Sequence, residues 1–367
     1  MNFEKLEGIC ADYEPLILSG KSEESFSLLE EFQNDPAVQV VDTIRGQVAE
    51  LIKIDHPSQN FTEKELDFQV KRFFEERLNR EYGNWIFYPW KNQLVHTLPE
   101  SDFIRLRTSR NKYKITPEEQ DILQSKKIGV IGLSVGQSVA LSLAMERSFG
   151  ELRIADYDTL ELSNMNRIRT GLENLGLKKA WIVAREIAEI DPYLKVKVFE
   201  DGIHDGNMDD FFEEGGILDL LVEECDSIPV KIKSRIKAKS LGIPVLMDTS
   251  DRGMLDIERF DLEPERPIFH GLVEDFGPEE ELVVKLPELG NELMMSIIEY
   301  KKLSPRILKS FAEIGKSIRT WPQLASSVFL GGAACAHLSR TILLAQPLKS
   351  GRFYLDVDLL QSITYES

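Results

Sequence analysis

The stretch KKIGVIGLSVGQSVALSLAMERSFGELRIADYD, residues 126–158, decides the fold. KIGVI is an apolar run typical of a buried strand, GQSVALSLAMERS has the composition of a helix, and ELRIAD predicts a second strand. A strand, a glycine turn and a helix in this order direct backbone N–H groups and the positive end of the helix at a phosphate. The stretch predicts either a nucleotide-binding turn or a tight strand-to-helix turn without a ligand.

The same alternation of strands and helices continues along the chain. LKKAWIVAREIAEI and PVKIKSRIKAKSL predict helices, whereas YLKVKVF, GILDLLVEE and GIPVLMD predict strands. This order predicts an α/β fold, with a Rossmann-like, mostly parallel sheet and helices on both faces. GMLDIERFDLE predicts an exposed antiparallel extension, and further helices and a short strand, GRFYLDVD, follow it.

The first part of the chain has a different pattern and predicts a separate domain. We expect an N-terminal α+β domain at residues 1–105 and the α/β domain at 106–367. VQVVDTIRGQVAELIKI places Val41, Ile44, Val48 and Leu51 on one predicted helical face, and NWIFYPWKNQLVHTLPES predicts an aromatic-rich hairpin. The role of this domain is not evident from its residues.

Composition excludes several classes of function. The 367 residues carry a formal net charge of -18, which argues against non-specific binding to nucleic acid or to an anionic membrane. The chain has no apolar run long enough to span a bilayer and no signal-peptide pattern at its start, so we expect a cytoplasmic protein. Cys10, Cys225 and Cys335 form no CxxC pair, so we expect neither a disulfide framework nor zinc.

The turn departs from the usual dinucleotide fingerprint, G-x-G-x-x-G. Here Gly132 is followed by Ser134 where the second glycine belongs, and Gly136 takes the third place one residue early. Asp156, at the end of the next strand, is placed to accept hydrogen bonds from ribose hydroxyls. These features fit a redox nucleotide and a triphosphate equally well.

The segment DYDTLELSNMNRIRT separates these two possibilities. It places Asn164, Asn166 and Arg167 just beyond the predicted ribose carboxylate. A nicotinamide enzyme has no general need for them, whereas cleavage of a triphosphate gathers negative charge that cations and Mg²⁺ must offset. Taken singly, the two asparagines are equally typical of turns.

SNMNR after ADYD resembles the ThiF/MoeB/HesA family, relatives of the ubiquitin-activating enzymes, and the resemblance runs from about residue 107 to the end. It implies an ATP site in which Asp156 binds ribose and Arg167 binds phosphate. GLKKA supplies the phosphate-binding lysine, Lys179, and EECDS the Mg²⁺-binding aspartate, Asp226. RTSRN supplies Arg110, which in the family reaches the ATP phosphates of the neighbouring subunit of a homodimer.

The resemblance implies ATP-dependent adenylation of a substrate carboxylate, for example the C-terminal tail of a peptide or small protein, with release of pyrophosphate. No cysteine lies between Cys225 and Cys335, so we expect no enzyme thioester. Alternating residues near Arg252 and Arg259 suggest either a strand that pairs with a substrate tail or an ordinary edge strand. Two alternatives remain: an NAD(P)-dependent oxidoreductase, and a catalytically degenerate scaffold or regulatory relative, which the altered turn and Ile168 would suit.

Overall fold

A computed structural model describes residues 12–19, 22–77 and 82–362. Contacts within the chain group it into two compact units, Met1–Pro117 with Ala184–Leu194 and Glu118–Val183 with Lys195–Ser367. The division expected at residue 105 stays a prediction. Cys10 lies outside the described residues.

The first unit is built on a sheet with the strand order β1-β3-β4-β2. Strand β3 is antiparallel to β1 and β4, and β2 is parallel to β4. The elements are β1 (Leu16–Ser19), α1 (Glu23–Asn34), β2 (Gln39–Asp42), α2 (Ile44–Asp55), α3 (Glu63–Glu75), β3 (Asn84–Tyr88), β4 (Gln93–Thr97) and α4 (Glu100–Arg107). The aromatic hairpin predicted from the sequence is therefore present as β3 and β4.

One helix of the first unit begins later than its apolar pattern predicts. Val41 lies in β2, so its placement on the helical face was wrong, whereas Ile44, Val48 and Leu51 are buried on α2. Asp42 explains the break, because its carboxylate accepts a hydrogen bond from the backbone N–H of Ile44 and turns the chain into the helix.

The second unit contains the alternating strands and helices that residues 126–158 predict. Its elements are α5 (Pro117–Gln124), β5 (Lys127–Ile131), α6 (Gly136–Glu146), β6 (Glu151–Ala155), α7 (Lys179–Ile190, shared with the first unit), β7 (Lys195–Phe199), α8 (Met208–Glu213), β8 (Leu220–Glu223), α9 (Ile228–Ser240), β9 (Val245–Thr249), β10 (Met254–Glu258), α10 (Leu282–Ile297), α11 (Pro305–Phe311), α12 (Ala325–Leu343) and β11 (Gly351–Tyr354).

The sheet of the second unit has the order β11-β10-β9-β8-β5-β6-β7. Strands β5 to β9 pair in parallel, and β10 pairs antiparallel with both β9 and β11. This arrangement confirms the predicted α/β fold with an antiparallel extension. The expected exposure of β10 was wrong, because β11 covers its outer edge and all five of its residues are buried.

Helices cover both faces of this sheet. On one face, Phe211 of α8, Ile232 of α9 and Leu293 of α10 share a core with Ile131 and Leu221. On the other face, Val130 meets the first turn of α6, where a Cβ on Gly136 would lie 2.8 Å from its Cγ1. Helix α12 packs against α6, β8 and β9 on that second face. Among the residues that the structure describes, no helix is long and apolar enough to cross a membrane.

Candidate active site

The turn between β5 and α6 lies at the carboxyl end of the parallel strands, and each glycine has a separate steric reason. Gly132 has a φ of +87°, and a Cβ there would lie 2.7 Å from the backbone nitrogen of Cys225. Gly136 allows α6 to pack closely on β5, which is the role of the third glycine in the usual fingerprint. Val135 occupies the N-cap position without a side-chain hydrogen bond. The start of α6 therefore has backbone N–H groups without a side-chain cap.

Asp156 holds this turn in place. Its carboxylate accepts hydrogen bonds from the backbone N–H of Leu133 (2.7 Å) and of Asp158 (2.8 Å). Burial raises the pKa of Asp156, and the nearby ammonium of Lys179 opposes that rise. The carboxylate thus joins the glycine turn to the segment that follows β6.

Arg167 reaches back from that segment to the turn. Its Nε donates a hydrogen bond to Ser134 Oγ (3.0 Å), and its Nη1 donates to Asn166 Oδ1 (3.1 Å). Burial lowers the pKa of Arg167, while the carboxylate of Asp226 opposes that shift. Ser134, which replaces the second glycine, therefore positions the guanidinium of Arg167 beside the start of α6.

The two predicted asparagines have local partners. Asn164 Oδ1 accepts a hydrogen bond from the backbone N–H of Glu161 (3.0 Å) and closes a short 3₁₀ turn. Asn166 Nδ2 donates to the backbone oxygen of Gln323 (2.7 Å). Both contacts shape the loop that carries Arg167, and Asn166 also contacts the guanidinium itself.

Lys179 begins α7 and is almost fully buried. Its Nζ lies 2.7 Å from Asp158 Oδ2, and its backbone N–H donates to Asp158 O. The preceding Lys178 points elsewhere, because its Nζ donates to the backbone oxygen of Glu200. Since Asp158 also donates its N–H to Asp156, a continuous set of contacts links Lys179 to the turn.

Asp226 follows β8 and lies at a pocket beside the turn. Its side chain is exposed. The pocket has an acidic wall that includes Glu224, Asp226 and Asp248, and an apolar wall that includes Phe311 and Trp321. Val135 also lines it, so the pocket adjoins the first turn of α6.

Arg110 is not among the residues that the second unit brings together. It belongs to the first unit, in the turns that follow α4, and its side chain is exposed. The two arginines near β10 are already paired: Arg252 Nε lies 2.8 Å from Asp356 Oδ2, and Arg259 binds Asp261 through two nitrogens. The strand near Arg252 and Arg259 is neither a free edge for a substrate tail nor an ordinary edge strand, because β9 and β11 flank β10.

Comparison with known proteins agrees with this arrangement. A family model described as "ThiF family" matches residues 108–287, from the turn after α4 to the first turns of α10. Residues 108–287 are a ThiF family domain. The match covers the glycine turn, Asp156, the SNMNR segment, Lys179 and Asp226, so the resemblance on which the sequence argument depended is confirmed.

The matches to relatives of this chain cover only part of each relative's length. An uncharacterized protein of Mycobacterium tuberculosis is 38% identical over 347 residues, which are 93% of this chain and 45% of that protein. The tRNA threonylcarbamoyladenosine dehydratase of Bacillus subtilis is 24% identical over 155 residues, 42% of this chain and 60% of that enzyme. This chain therefore spans about half the length of these relatives.

One solved structure has a similar fold over most of this chain. A crystal structure of Escherichia coli MccB with MccA-N7isoASN covers 85% of this chain and 85% of its own, with a TM-score of 0.50 at 17% identity. At this identity the comparison shows the fold alone, which is the ThiF-like arrangement described above.

Several residues of this site were not predicted from the sequence. Gln137 binds the backbone of Arg169 through both its oxygen and its nitrogen (2.9 Å each), and Asp158 holds Lys179. Glu224 and Asp248 form the acidic wall of the pocket. Glu224 and Asp248 could have been predicted as site residues. Each lies at the carboxyl end of a predicted parallel strand, where ligands of such sheets bind.

Proposed function

We propose that the chain adenylates a substrate carboxylate with ATP. A carboxylate oxygen would form a bond to the α-phosphorus, and the bond from that phosphorus to the bridging oxygen of pyrophosphate would break. The supporting observation is the chain of contacts that joins two cations, the half-buried Arg167 and the buried Lys179, to the start of α6. A carboxylate is already ionised at neutral pH, so positioning and charge would provide the acceleration without a general base.

The phosphates would lie at the start of α6. Free N–H groups and the helix dipole favour an anion there, and the two cations are placed to share its charge. Ser134 and Asp158 contact Arg167 and Lys179. We expect the phosphates to replace at least the contact of Lys179 with Asp158, and Asp156 to accept hydrogen bonds from the ribose.

Asp226 would hold Mg²⁺. A single exposed carboxylate beside a phosphate site fits this ion, which commonly uses one or two protein carboxylates and the phosphates of its substrate. When bound, the ion would offset charge on the phosphates and the leaving group. Asp226 also lines the pocket, so it lies where a nucleotide and a second substrate would meet.

The pocket beside Asp226 would receive the carboxylate substrate. Its apolar wall, with Phe311, Trp321 and Ile297, suits an apolar group next to the reacting carboxylate. A free small acid and the tail of a peptide or small protein both fit this description. A homodimer in which Arg110 of one copy reaches the ATP of the other remains part of the proposal.

Neither described cysteine favours an enzyme thioester. Burial raises the pKa of Cys225, with the carboxylate of Glu223 adding to the effect, and burial also raises the pKa of Cys335. A thiol is nucleophilic as a thiolate, and burial disfavours that form in both groups when no cation lies beside them. We therefore expect the acyl-adenylate to pass directly to an external amine or thiol.

ATP–pyrophosphate exchange, measured with panels of small carboxylic acids and peptides, tests the proposal. We expect exchange that depends on the carboxylate, and a loss of at least about 100-fold in the Lys179→Ala and Asp226→Ala variants, as for removal of a transition-state charge contact. Lys178→Ala is the matched control, because the neighbouring lysine binds a backbone oxygen instead. Full activity of Lys179→Ala or Asp226→Ala would refute these assignments.

Thermal shifts with nucleotides separate the alternatives. Stabilisation by ATP with Mg²⁺, and not by NADH, is expected for an adenylating enzyme. Stabilisation by NADH alone would favour the oxidoreductase. Binding of ATP without exchange on any carboxylate of the panel would favour the scaffold or regulatory relative.

A further inference from the structure

Two buried carboxylates and a thiol converge on the inner side of the pocket. Glu224 follows β8, Asp248 lies on the neighbouring strand β9, and Cys335 lies on α12. Each offers one ligand atom, and these three atoms all lie within 4.8 Å of one another. All three residues are buried.

Asp248 is the unusual member of this group. Its side chain is buried, and neither carboxylate oxygen has a hydrogen-bond partner. Among the residues that the structure describes, no lysine or arginine forms an ion pair with Asp248 or Glu224; the ammonium of Lys231, which also lines the pocket, binds Glu223 instead. A buried carboxylate is costly unless a cation or a proton neutralises it. Two such groups side by side therefore require a neutralising partner.

Helix α12 accommodates the Asp248 carboxylate at a glycine. A Cβ on Gly331 would lie 2.0 Å from Asp248 Oδ2, so only glycine permits this carboxylate its position. Cys335 comes four residues later, on the same face of the helix. The helix thus presents a gap for a carboxylate and then, one turn further, a thiol.

We propose that Glu224, Asp248 and Cys335 bind one divalent transition-metal ion, of the Zn²⁺, Fe²⁺ or Co²⁺ class. The thiolate favours these ions over Mg²⁺. Metal–ligand distances of about 2.0–2.3 Å place ligand atoms about 3.5 Å apart in a tetrahedral site, a separation that small side-chain rotations would reach here. Glu224 and Asp248 line the pocket, so a bound ion would lie beside it. The proposal does not depend on adenylation, because it concerns a different set of ligands from Asp226.

Cobalt titration of the full chain, after removal of bound metal with a chelator, tests this site. Wild-type protein is expected to bind one Co²⁺ per chain, with a thiolate-to-cobalt charge-transfer band that excess Mg²⁺ does not remove and Zn²⁺ does. The Cys335→Ser variant should lose the band, and Glu224→Gln and Asp248→Asn should weaken binding at least tenfold. Circular dichroism establishes that each near-isosteric variant is folded.

Cys225→Ser and Cys10→Ser are the matched controls, since neither thiol belongs to the proposed site, and both variants should keep the band. A band that survives in Cys335→Ser would overturn the proposal. Wild-type protein that binds less than about one-fifth of an equivalent of Co²⁺ and of Zn²⁺ would also overturn it. That second result would indicate that Glu224 and Asp248 share a proton instead. ATP–pyrophosphate exchange is measured separately, so failure of either hypothesis leaves the other interpretable.

Discussion

Glu223 and Glu224 are consecutive residues at the end of β8, and their side chains enter opposite faces of the sheet. Glu223 meets α9, where Lys231 and Arg235 pair with its carboxylate. Glu224 turns toward α6 and the pocket, where its oxygen accepts the backbone N–H of Asp248 and no cation pairs with it among the described residues. Both carboxyl groups are fully or almost fully buried.

The two faces therefore shift the pKa of a buried glutamate in opposite directions. On the α9 face, burial opposes ionisation of Glu223, but the cations of Lys231 and Arg235 outweigh it and lower its pKa. On the pocket face, burial raises the pKa of Glu224 well above its ordinary value, and the carboxyl of Asp248 adds to the rise. The α9 face is the paired face, because Lys231 and Arg235 pair with Glu223. The pocket face is the unpaired face, because no cation pairs with Glu224 or Asp248 among the described residues. Shifted pKa values of this kind beside a pocket are typical of functional sites.

The largest effect should follow from breaking the paired face. Arg235 is buried between Glu223 and Glu258, and its Nε lies 2.7 Å from Glu258 Oε2. Arg235→Met would leave two buried carboxylates without this cation, so we expect a loss of about 3–5 kcal/mol in the free energy of unfolding, measured by urea denaturation.

Lys233→Met on the same helix is the control for Arg235→Met. Lys233 pairs with Asp205, whose side chain is 78% exposed, so a change of less than about 1 kcal/mol is expected. Equal losses in the two variants would mean that burial of the ion pair does not distinguish them.

The dependence of stability on pH should have opposite signs on the two faces. Burial raises the pKa of Asp248 from 3.8 to about 7, against the opposing effects of Glu224 and Lys231. The metal-free folded protein then holds a proton that the unfolded chain releases above about pH 4, so Asp248 costs stability progressively as pH rises from about 4 to 7. Asp248→Asn has no such proton. Its stability relative to wild type should therefore increase over this window, by on the order of a few kcal/mol.

Urea unfolding of both proteins with a chelator, at about pH 5 and pH 8, measures this difference. Glu223→Gln serves as the opposite case. Because the pKa of Glu223 is lowered, its contribution is present above the ordinary glutamate value of 4.5 and is lost only below it, so this variant should lose about as much stability at pH 5 as at pH 8 and less at about pH 3. Stability curves for Asp248→Asn and wild type that stay parallel between the two pH values would contradict the assigned proton.

The strands and helices could be predicted from the sequence, whereas the meeting of Glu224 and Asp248 on the unpaired face could not. The strands and helices followed from apolar runs, because burial on both sides of a parallel strand leaves a continuous hydrophobic signature. Asp156, Arg167, Lys179 and Asp226 were named as candidates because their motifs resemble those of the ThiF family, and their roles stay a prediction. Glu224 and Asp248 were not named, because their meeting depends on the pairing of β8 with β9 and on a glycine of α12 more than 80 residues away. The edge of β10 was misjudged for a similar reason, since its partner β11 comes almost 100 residues later.

A smaller effect should follow from filling the gap in α12. Gly331→Ala would force the carboxylate of Asp248 to move, with an expected cost of about 1–3 kcal/mol. In an Asp248→Ala background the same change should cost less, because the atoms that it meets are gone, and a double-mutant cycle of urea unfolding measures that coupling. Gly290→Ala on α10 is the control: nothing lies within 4 Å of its Cβ, so helix propensity should make it neutral or slightly stabilising. Additive effects of Gly331→Ala and Asp248→Ala would argue that the glycine has another role.

The smallest effect concerns the turn at the end of β5, on the pocket side of the sheet. Ser134 Oγ accepts a hydrogen bond from Arg167, so Ser134→Gly restores the second glycine of the usual fingerprint but removes the contact that positions this cation. We expect ATP with Mg²⁺ to bind up to about tenfold more weakly, as for one hydrogen bond to a charged group, with little change in stability. Isothermal titration calorimetry measures the affinity, and Ser134→Ala separates the hydroxyl from the backbone freedom of glycine. Tighter binding by Ser134→Gly would show instead that the side chain holds the phosphates away from the turn, and that Arg167 needs no positioning residue.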